Sequence, residues 1–341
     1  MIPLQSCLNL ATEHKAQEIL LQSREPLRLR IGKELVLADS GQMSPVDIRQ
    51  IVSQVLSEEE RQVLNSKSKV QGVKSIGEIA FKFDFQIDFD GVHGSLRLLQ
   101  NSQETWSFPV MAVESVFKSQ GLNLVIGPRK SGKTTSLRQL LNAGGSRNKV
   151  IAIFTDEEVP GILSAGNAVY QYPTSQLKSG FVPSSADLVV IDSPALAFCE
   201  KALQLAEEGR SVILTLAFWN IEMGLQRMTD LLDGAPESRS RRLAQTLQTA
   251  LGLRLVSGIE TPLQGAFEML LADADVQTAL KELRFGDLSA LMRTSAERTG
   301  MRSLNQTLFQ LLMKRKVELK AAFEASSEPE ELDAMLKKVG I

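Results

Sequence analysis

Apolar residues recur along this chain in two different periods, and the change from one to the other marks out its elements. Asn9 to Leu21 has helical character. Leu27-Arg28-Leu29-Arg30-Ile31 then alternates apolar with charged side chains, as a strand with one wet face does, and Glu34 to Leu37 follows across a Gly-Lys turn. Ser44-Pro45-Val46-Asp47 is a helix start, with a cap residue, a proline in the first turn and an early acid. Ile48, Ile51, Val52, Val55 and Leu56 continue it at helical spacing, and Ser57 with Glu60 forms a capping box for the next helix. Ile79, Phe81, Phe83, Phe85 and Ile87 alternate with Lys82, Asp84, Gln86 and Asp88, which predicts a strand whose Phe stripe faces a core rather than stacking on bases.

Asn101 to Pro109 is polar and interrupted, and the sequence predicts a linker over 101–110 between an N-terminal α/β domain, 1–100, and a second domain, 111–341. In the second domain strand and helix alternate. Val150 to Phe154, Leu188 to Ile191 and Ser211 to Leu216 are short apolar runs suited to a parallel sheet covered on both faces, so the fold class is α/β. After about Ile221 the pattern reads as mostly helical to the end. The basic stretch Met313 to Lys320 has acidic neighbours and reads as a solvated helix face.

One stretch carries chemistry outright. Gly127-Pro128-Arg129-Lys130-Ser131-Gly132-Lys133-Thr134 fits G-x-x-x-x-G-K-S/T, the loop that wraps nucleotide phosphates. The alternative, a chance glycine-rich turn, is countered by context. The apolar run Leu122 to Ile126 precedes the loop, and Thr135 to Leu141 follows as a helix stopped at Gly144-Gly145. Strand, loop and helix in that order place a positive helix end at the phosphates. Lys133 is expected to reach the β- and γ-phosphates of ATP, and Thr134 to ligate Mg²⁺. Arg129 and Lys130 are unusual inside such a loop and either add charge near the γ-phosphate or point to solvent. Asp192 closes an apolar strand, as a metal-positioning acid does, and Asp156, Glu157 and Glu158 form an acidic cluster at another strand end.

Composition bounds the rest. With 341 residues, 43% hydrophobic and 23% charged, the chain has enough for about two cored domains. A net charge of −2 gives no electrostatic case for nucleic acid or an anionic membrane, which removes the support for a DNA-translocating motor. No apolar run approaches the roughly 20 residues that span a bilayer. The N-terminus lacks the pattern of a signal peptide, so the expected address is cytoplasmic. Cys7 and Cys199 stand far apart, excluding a disulfide framework and a four-cysteine zinc site, and His14 and His93 have no partner ligands at useful spacing.

Around the intact phosphate loop the chain resembles the hexameric secretion and pilus ATPases, most closely the type IV pilus retraction (PilT-like) branch. The resemblance is carried by Leu122-Asn123-Leu124-Val125-Ile126-Gly127-Pro128, by Arg227-Met228-Thr229-Asp230-Leu231-Leu232, and by two stretches matching the family's C-terminal helical region, Ala266 to Leu270 and Gly300 to Leu308. It implies a PAS-like N-terminal domain, a RecA-like P-loop domain with Thr135 also at the nucleotide, and a helical C-terminal part. It further implies a homo-hexamer with nucleotide between subunits, a partner such as an inner-membrane pilus or secretion platform protein, and possible joint assembly with a related ATPase.

Departures from the family are informative. Its acidic box corresponds to Phe154-Thr155-Asp156-Glu157-Glu158, and which acid serves is open by a residue. Its second box places a glutamate, the candidate general base, where this chain has Asp192-Ser193. Its histidine after the third strand is Ala217. The N-terminal strands that supply arginines to a neighbouring subunit's nucleotide carry Lys82 and Arg97 here; Lys82 reads better as a solvated strand residue than as a phosphate contact, and Arg97 reads equally as either. The resemblance therefore implies either a slow ATPase or a nucleotide-binding relative that regulates or scaffolds a pilus, gliding or secretion machine.

Overall fold

The computed structural model describes residues 3–77, 79–99, 113–114, 116–117, 120–144, 148–156, 159, 162, 166–193 and 195–340, apart from the side chains at 39, 40, 297 and 298. Contacts divide the chain into two compact units, 1–104 and 105–341. The linker expected over 101–110 lies outside the described residues.

The first unit folds around one antiparallel sheet. Its strands are β1 (Glu18–Leu21), β2 (Pro26–Ile31), β3 (Glu34–Gln42), β4 (Lys69–Ile76), β5 (Ile79–Asp88) and β6 (Gly91–Leu98), in the order β3-β2-β1-β6-β5-β4. Phe81, Phe83 and Phe85 are fully buried with Ile48 and Ile51 of the helix Pro45–Val55. Burial of each such side chain contributes roughly 1.5–3 kcal/mol. Both expected caps form: Ser44 Oγ accepts the Asp47 N–H at 3.2 Å while Asp47 Oδ2 accepts the Ser44 N–H at 2.8 Å, and Ser57 with Glu60 repeats the exchange.

The helix expected over Asn9–Leu21 ends sooner. It spans Leu4–Glu13, Lys15 turns the backbone at φ 52°, and Glu18–Leu21 pairs with β2 and β6 as the central strand. Ile19 and Leu21 fit either period, and pairing on both edges of β1 decides between them.

The second unit is built on seven strands: β7 (Gly121–Ile126), β8 (Val150–Thr155), β9 (Ala168–Tyr172), β10 (Leu188–Asp192), β11 (Ser211–Leu216), β12 (Leu247–Ser257) and β13 (Leu263–Leu271). Their order is β13-β12-β7-β11-β10-β8-β9, parallel throughout except for the antiparallel pair β12 and β13. Alternate residues feed opposite faces. Leu122, Leu124 and Ile126 pack with Leu203, Leu225 and Leu243 on one side, and Val125 packs with Leu137 and Leu140 of the phosphate-loop helix on the other. Polar alternation is therefore absent from β7, which is buried along its whole length.

The expectation of a mostly helical chain beyond Ile221 is overturned for 247–271. That segment forms β12 and β13, including Ala266 to Leu270, which the sequence assigned to helix. Its apolar residues satisfy a helical reading locally, and pairing of β12 with β7 fixes it as strand. Helices resume from Ala274, and Leu304, Leu308, Leu332 and Leu336 join Val256 in a separate C-terminal core. Each unit contains one buried free thiol, Cys7 in the first and Cys199 in the second. Among the described residues no helix is long and apolar enough to cross a membrane.

Candidate nucleotide site

β7 ends at Ile126 between β12 and β11, and the loop it delivers leads into the helix Lys133–Ala143. Gly132 caps that helix at φ 85°, a conformation that favours glycine, and Lys130 takes φ 63° to complete the turn. Gly127 is required by space. A Cβ there would lie 2.3 Å from Ser131 Oγ and 2.9 Å from Leu253 O. The loop thus presents backbone at close quarters, and Ser131 Oγ and Ser136 Oγ are buried with no hydrogen-bond partner among the described residues.

Lys133 folds back on its own loop. Its Nζ donates to Gly127 O at 2.7 Å and to Pro128 O at 2.9 Å. Burial pulls its pKa down from an ordinary 10.5 to about 8, with nearby Asp192 opposing the shift and Arg129 adding to it. Arg129, Lys130 and Thr134 are exposed, while Pro128, Gly132 and Thr135 are half-buried.

Two of the acids expected from the sequence, Asp192 and Asp156, lie on neighbouring strand ends beside the loop. Thr134 Oγ1 donates to Asp192 Oδ2 at 2.8 Å, and Thr215 Oγ1 donates to Asp192 Oδ1 at 2.8 Å. Asp192 faces Thr155 in the β10–β8 ladder, which brings Asp156 next to Ser193. Ser193 Oγ donates to Asp156 Oδ2 at 3.3 Å, and Thr174 Oγ1 donates to Asp156 Oδ1. Every oxygen of these two carboxylates therefore accepts a hydroxyl. Glu157 and Glu158 lie outside the described residues. Arg97 and Lys82 belong to the first unit, opposite each other in the β5–β6 ladder, and Arg97 also faces Glu18. Ala217 follows the end of β11.

This donor set fits Mg²⁺. A hard cation of that kind takes few protein oxygens and completes its shell with water and phosphate. The Thr134 hydroxyl and the Asp192 carboxylate, in contact at the mouth of the loop, are such a pair. No group of three or more His, Cys, Asp or Glu side chains suited to a metal exists among the described residues.

Several residues at this site carry no motif. Thr215, Thr174 and Ser193 orient the acids, and only their place at strand ends could have signalled them. Arg254 is buried, with its guanidinium carbon 4.1 Å from the centre of the Trp219 ring, and burial lowers its pKa against the pull of Glu268. Glu268 Oε1 accepts the Ile221 N–H at 2.9 Å, and burial raises its pKa, with that hydrogen bond and Arg254 opposing. A charged residue inside the apolar run Leu251-Gly252-Leu253-Arg254-Leu255 was the one available sign. Away from the loop, Glu222, Glu268, Glu328 and Glu331 line an acidic recess against the C-terminal helices.

No protein-family profile matches the chain, and no curated protein matches it in sequence. Solved structures match its fold. The pilus retraction motor PilT with bound ADP aligns over 98% of this chain and 100% of its own, with TM-score 0.79 and 24% identity. The ATPase DotB of Legionella pneumophila aligns over 94% of both chains, with TM-score 0.76 and 14% identity. DotB of Yersinia pseudotuberculosis aligns over 94% of this chain and 92% of its own, with TM-score 0.75 and 15% identity. The chain therefore has the two-domain α/β fold, with a helical C-terminal part, seen in PilT and the DotB ATPases.

Proposed function

We propose that this chain binds Mg²⁺–ATP and is a slow motor ATPase of the pilus and secretion type, working at the cytoplasmic face with an inner-membrane platform protein. The observation that carries this reading is the loop between β7 and the helix Lys133–Ala143, with Lys133 at its centre and the Thr134–Asp192 pair at its mouth. Backbone N–H groups of the loop and the helix N-terminus would hold the phosphates, and Lys133 would exchange its two carbonyl acceptors for phosphate oxygens. Thr134 and Asp192 would hold Mg²⁺, which supplies neutralisation of charge on the β- and γ-phosphates. Asp156 and Asp192 would orient water, and Glu157 is a further candidate from the sequence. The likeness to PilT, which has been seen with ADP, supports the same ligand here.

Slow turnover follows from what surrounds the loop. Each oxygen of the two described acids already accepts one hydroxyl, and Ser193 and Ala217 stand where the family resemblance places a glutamate and a histidine. Loss of transition-state contacts lowers rate more than binding. This favours, as a second reading, a nucleotide-binding subunit that regulates a machine driven by a related ATPase.

Titration with a fluorescent ATP analogue and a steady-state phosphate assay test both statements. Lys133→Ala should weaken binding by about 1.5–3 kcal/mol, the size of a hydrogen bond to a charged group. Equal affinity in the variant would sink the nucleotide reading. Turnover of the unsubstituted chain equal to that of a pilus retraction ATPase under matched conditions would sink the claim of slowness.

A further inference from the structure

The end of β7 is crossed by a side chain that phosphate binding by the loop does not use. β12 runs beside β7 with Gly252 opposite Ile126, so Leu253 and Arg254 flank the first residues of the loop. On the other side Leu216 of β11 pairs with Ile126 and accepts the Gly127 N–H at 3.1 Å, and Trp219 follows from there. Arg254 stacks on Trp219 at 4.1 Å, so the contact joins the two strands on either side of the one that delivers the loop.

Arg254 is 5% exposed, yet its fork is mostly unused. Nη1 donates to Leu253 O at 3.1 Å, the same oxygen that lies 2.9 Å from where a Gly127 Cβ would stand. Nε and Nη2 find no acceptor among the described residues. Buried donors of a charged group without acceptors are costly, and a guanidinium cannot shed a proton to escape the cost. The two carbonyls nearest in the chain to that shared contact, Gly127 O and Pro128 O, are held by Lys133 Nζ.

We propose that Arg254 is a positioning residue of the phosphate loop, which donates to the carbonyls of Gly127 and Pro128 when nucleotide draws Lys133 away from them. The inference rests on the nucleotide reading. In the exchange Lys133 trades two carbonyls for phosphate oxygens, and the carbonyls trade an ammonium for a guanidinium, so neither carbonyl loses its donor. A planar fork that stacks on one face and donates from its edge suits this task, and a lysine does not. Trp219, in van der Waals contact with the guanidinium and 44% exposed, shifts with it.

The test uses the full chain with Trp106→Phe, which leaves Trp219 as the one tryptophan. Calorimetry gives the affinity for Mg²⁺–ATP, and tryptophan emission is followed in the same titration. The expected result is an emission change that saturates with the calorimetric isotherm. Arg254→Gln should abolish the change and weaken binding by about tenfold, the loss of charge-assisted contacts made in the bound state alone, and Arg254→Lys should not restore either. Calorimetric binding with no change in Trp219 emission would overturn the inference without recourse to any Arg254 variant. So would an Arg254→Gln protein with unsubstituted affinity and an unchanged response. Absence of calorimetric binding to the Arg254-bearing chain would overturn the nucleotide reading, and this inference with it.

Discussion

Lys133 carries its charge where charge is expensive, and this gives ATP binding a pH dependence with a definite sign. Its pKa of about 8 lies below the ordinary value because burial disfavours the ammonium form. Phosphate takes the charged form, so affinity should be flat below pH 8 and fall above it. At pH 9 the apparent Kd should be about tenfold higher than at pH 7, since one unit beyond the pKa leaves about a tenth of the sites protonated. Lys133→Arg, which keeps its charge, should flatten the profile, and calorimetry between pH 7 and 9.5 reads both. A flat profile in the unsubstituted chain would show that Lys133 is not the titrating group. Much at this scale was legible beforehand. The spacing of Gly127, Gly132, Lys133 and Thr134 is itself the motif, and Asp192 announced itself as the end of an apolar run. Arg254 showed only as a charge inside an apolar run and Thr215 only as a hydroxyl near a strand end, because their roles come from strand order across the sheet rather than from neighbours in the chain.

The pair β12 and β13 was misread as helix, since local apolar spacing is ambiguous and the pairing that resolves it lies more than a hundred residues upstream in β7. The same pair explains a glycine that sequence alone would treat as a weakness in a strand. A Cβ at Gly252 would lie 2.3 Å from Glu268 Oε1 and 2.4 Å from its Cγ, so this glycine makes room for the buried carboxylate that accepts the Ile221 N–H. Gly252→Ala should displace Glu268, strand that N–H at the start of the helix Ile221–Leu231, and destabilise the second unit by about 1–3 kcal/mol. Urea unfolding followed by circular dichroism measures it, and a midpoint equal to that of the parent would refute the packing argument. By contrast the capped helices Pro45–Val55 and Glu58–Lys67 were read correctly from Ser44, Asp47, Ser57 and Glu60, because a capping box is wholly local.

For the whole molecule, the family resemblance suggests a ring in which Arg97 of the first unit serves a neighbour's nucleotide. Head-to-tail interfaces that close into a ring need both units, so sedimentation of the full chain with ATP should give a species of about six copies, and a truncation starting at Ser107 should remain monomeric. A full chain that stays monomeric at tens of micromolar would favour the regulatory reading. The two buried thiols make the halves separately observable. Cys7 and Cys199 are both shielded, and burial raises each pKa to about 11, so both should resist an alkylating reagent in the folded state. One sits in each unit, and labelling must wait for that unit to open. The chain thus carries two internal clocks. With Mg²⁺–ATP present, alkylation of Cys199 should slow in proportion to ligand occupancy, while that of Cys7 in the monomer should keep its unliganded rate. Mass spectrometry of the two cysteine peptides over time would tell which half nucleotide stabilises, and slowing of both to the same degree would mean that the halves unfold as one.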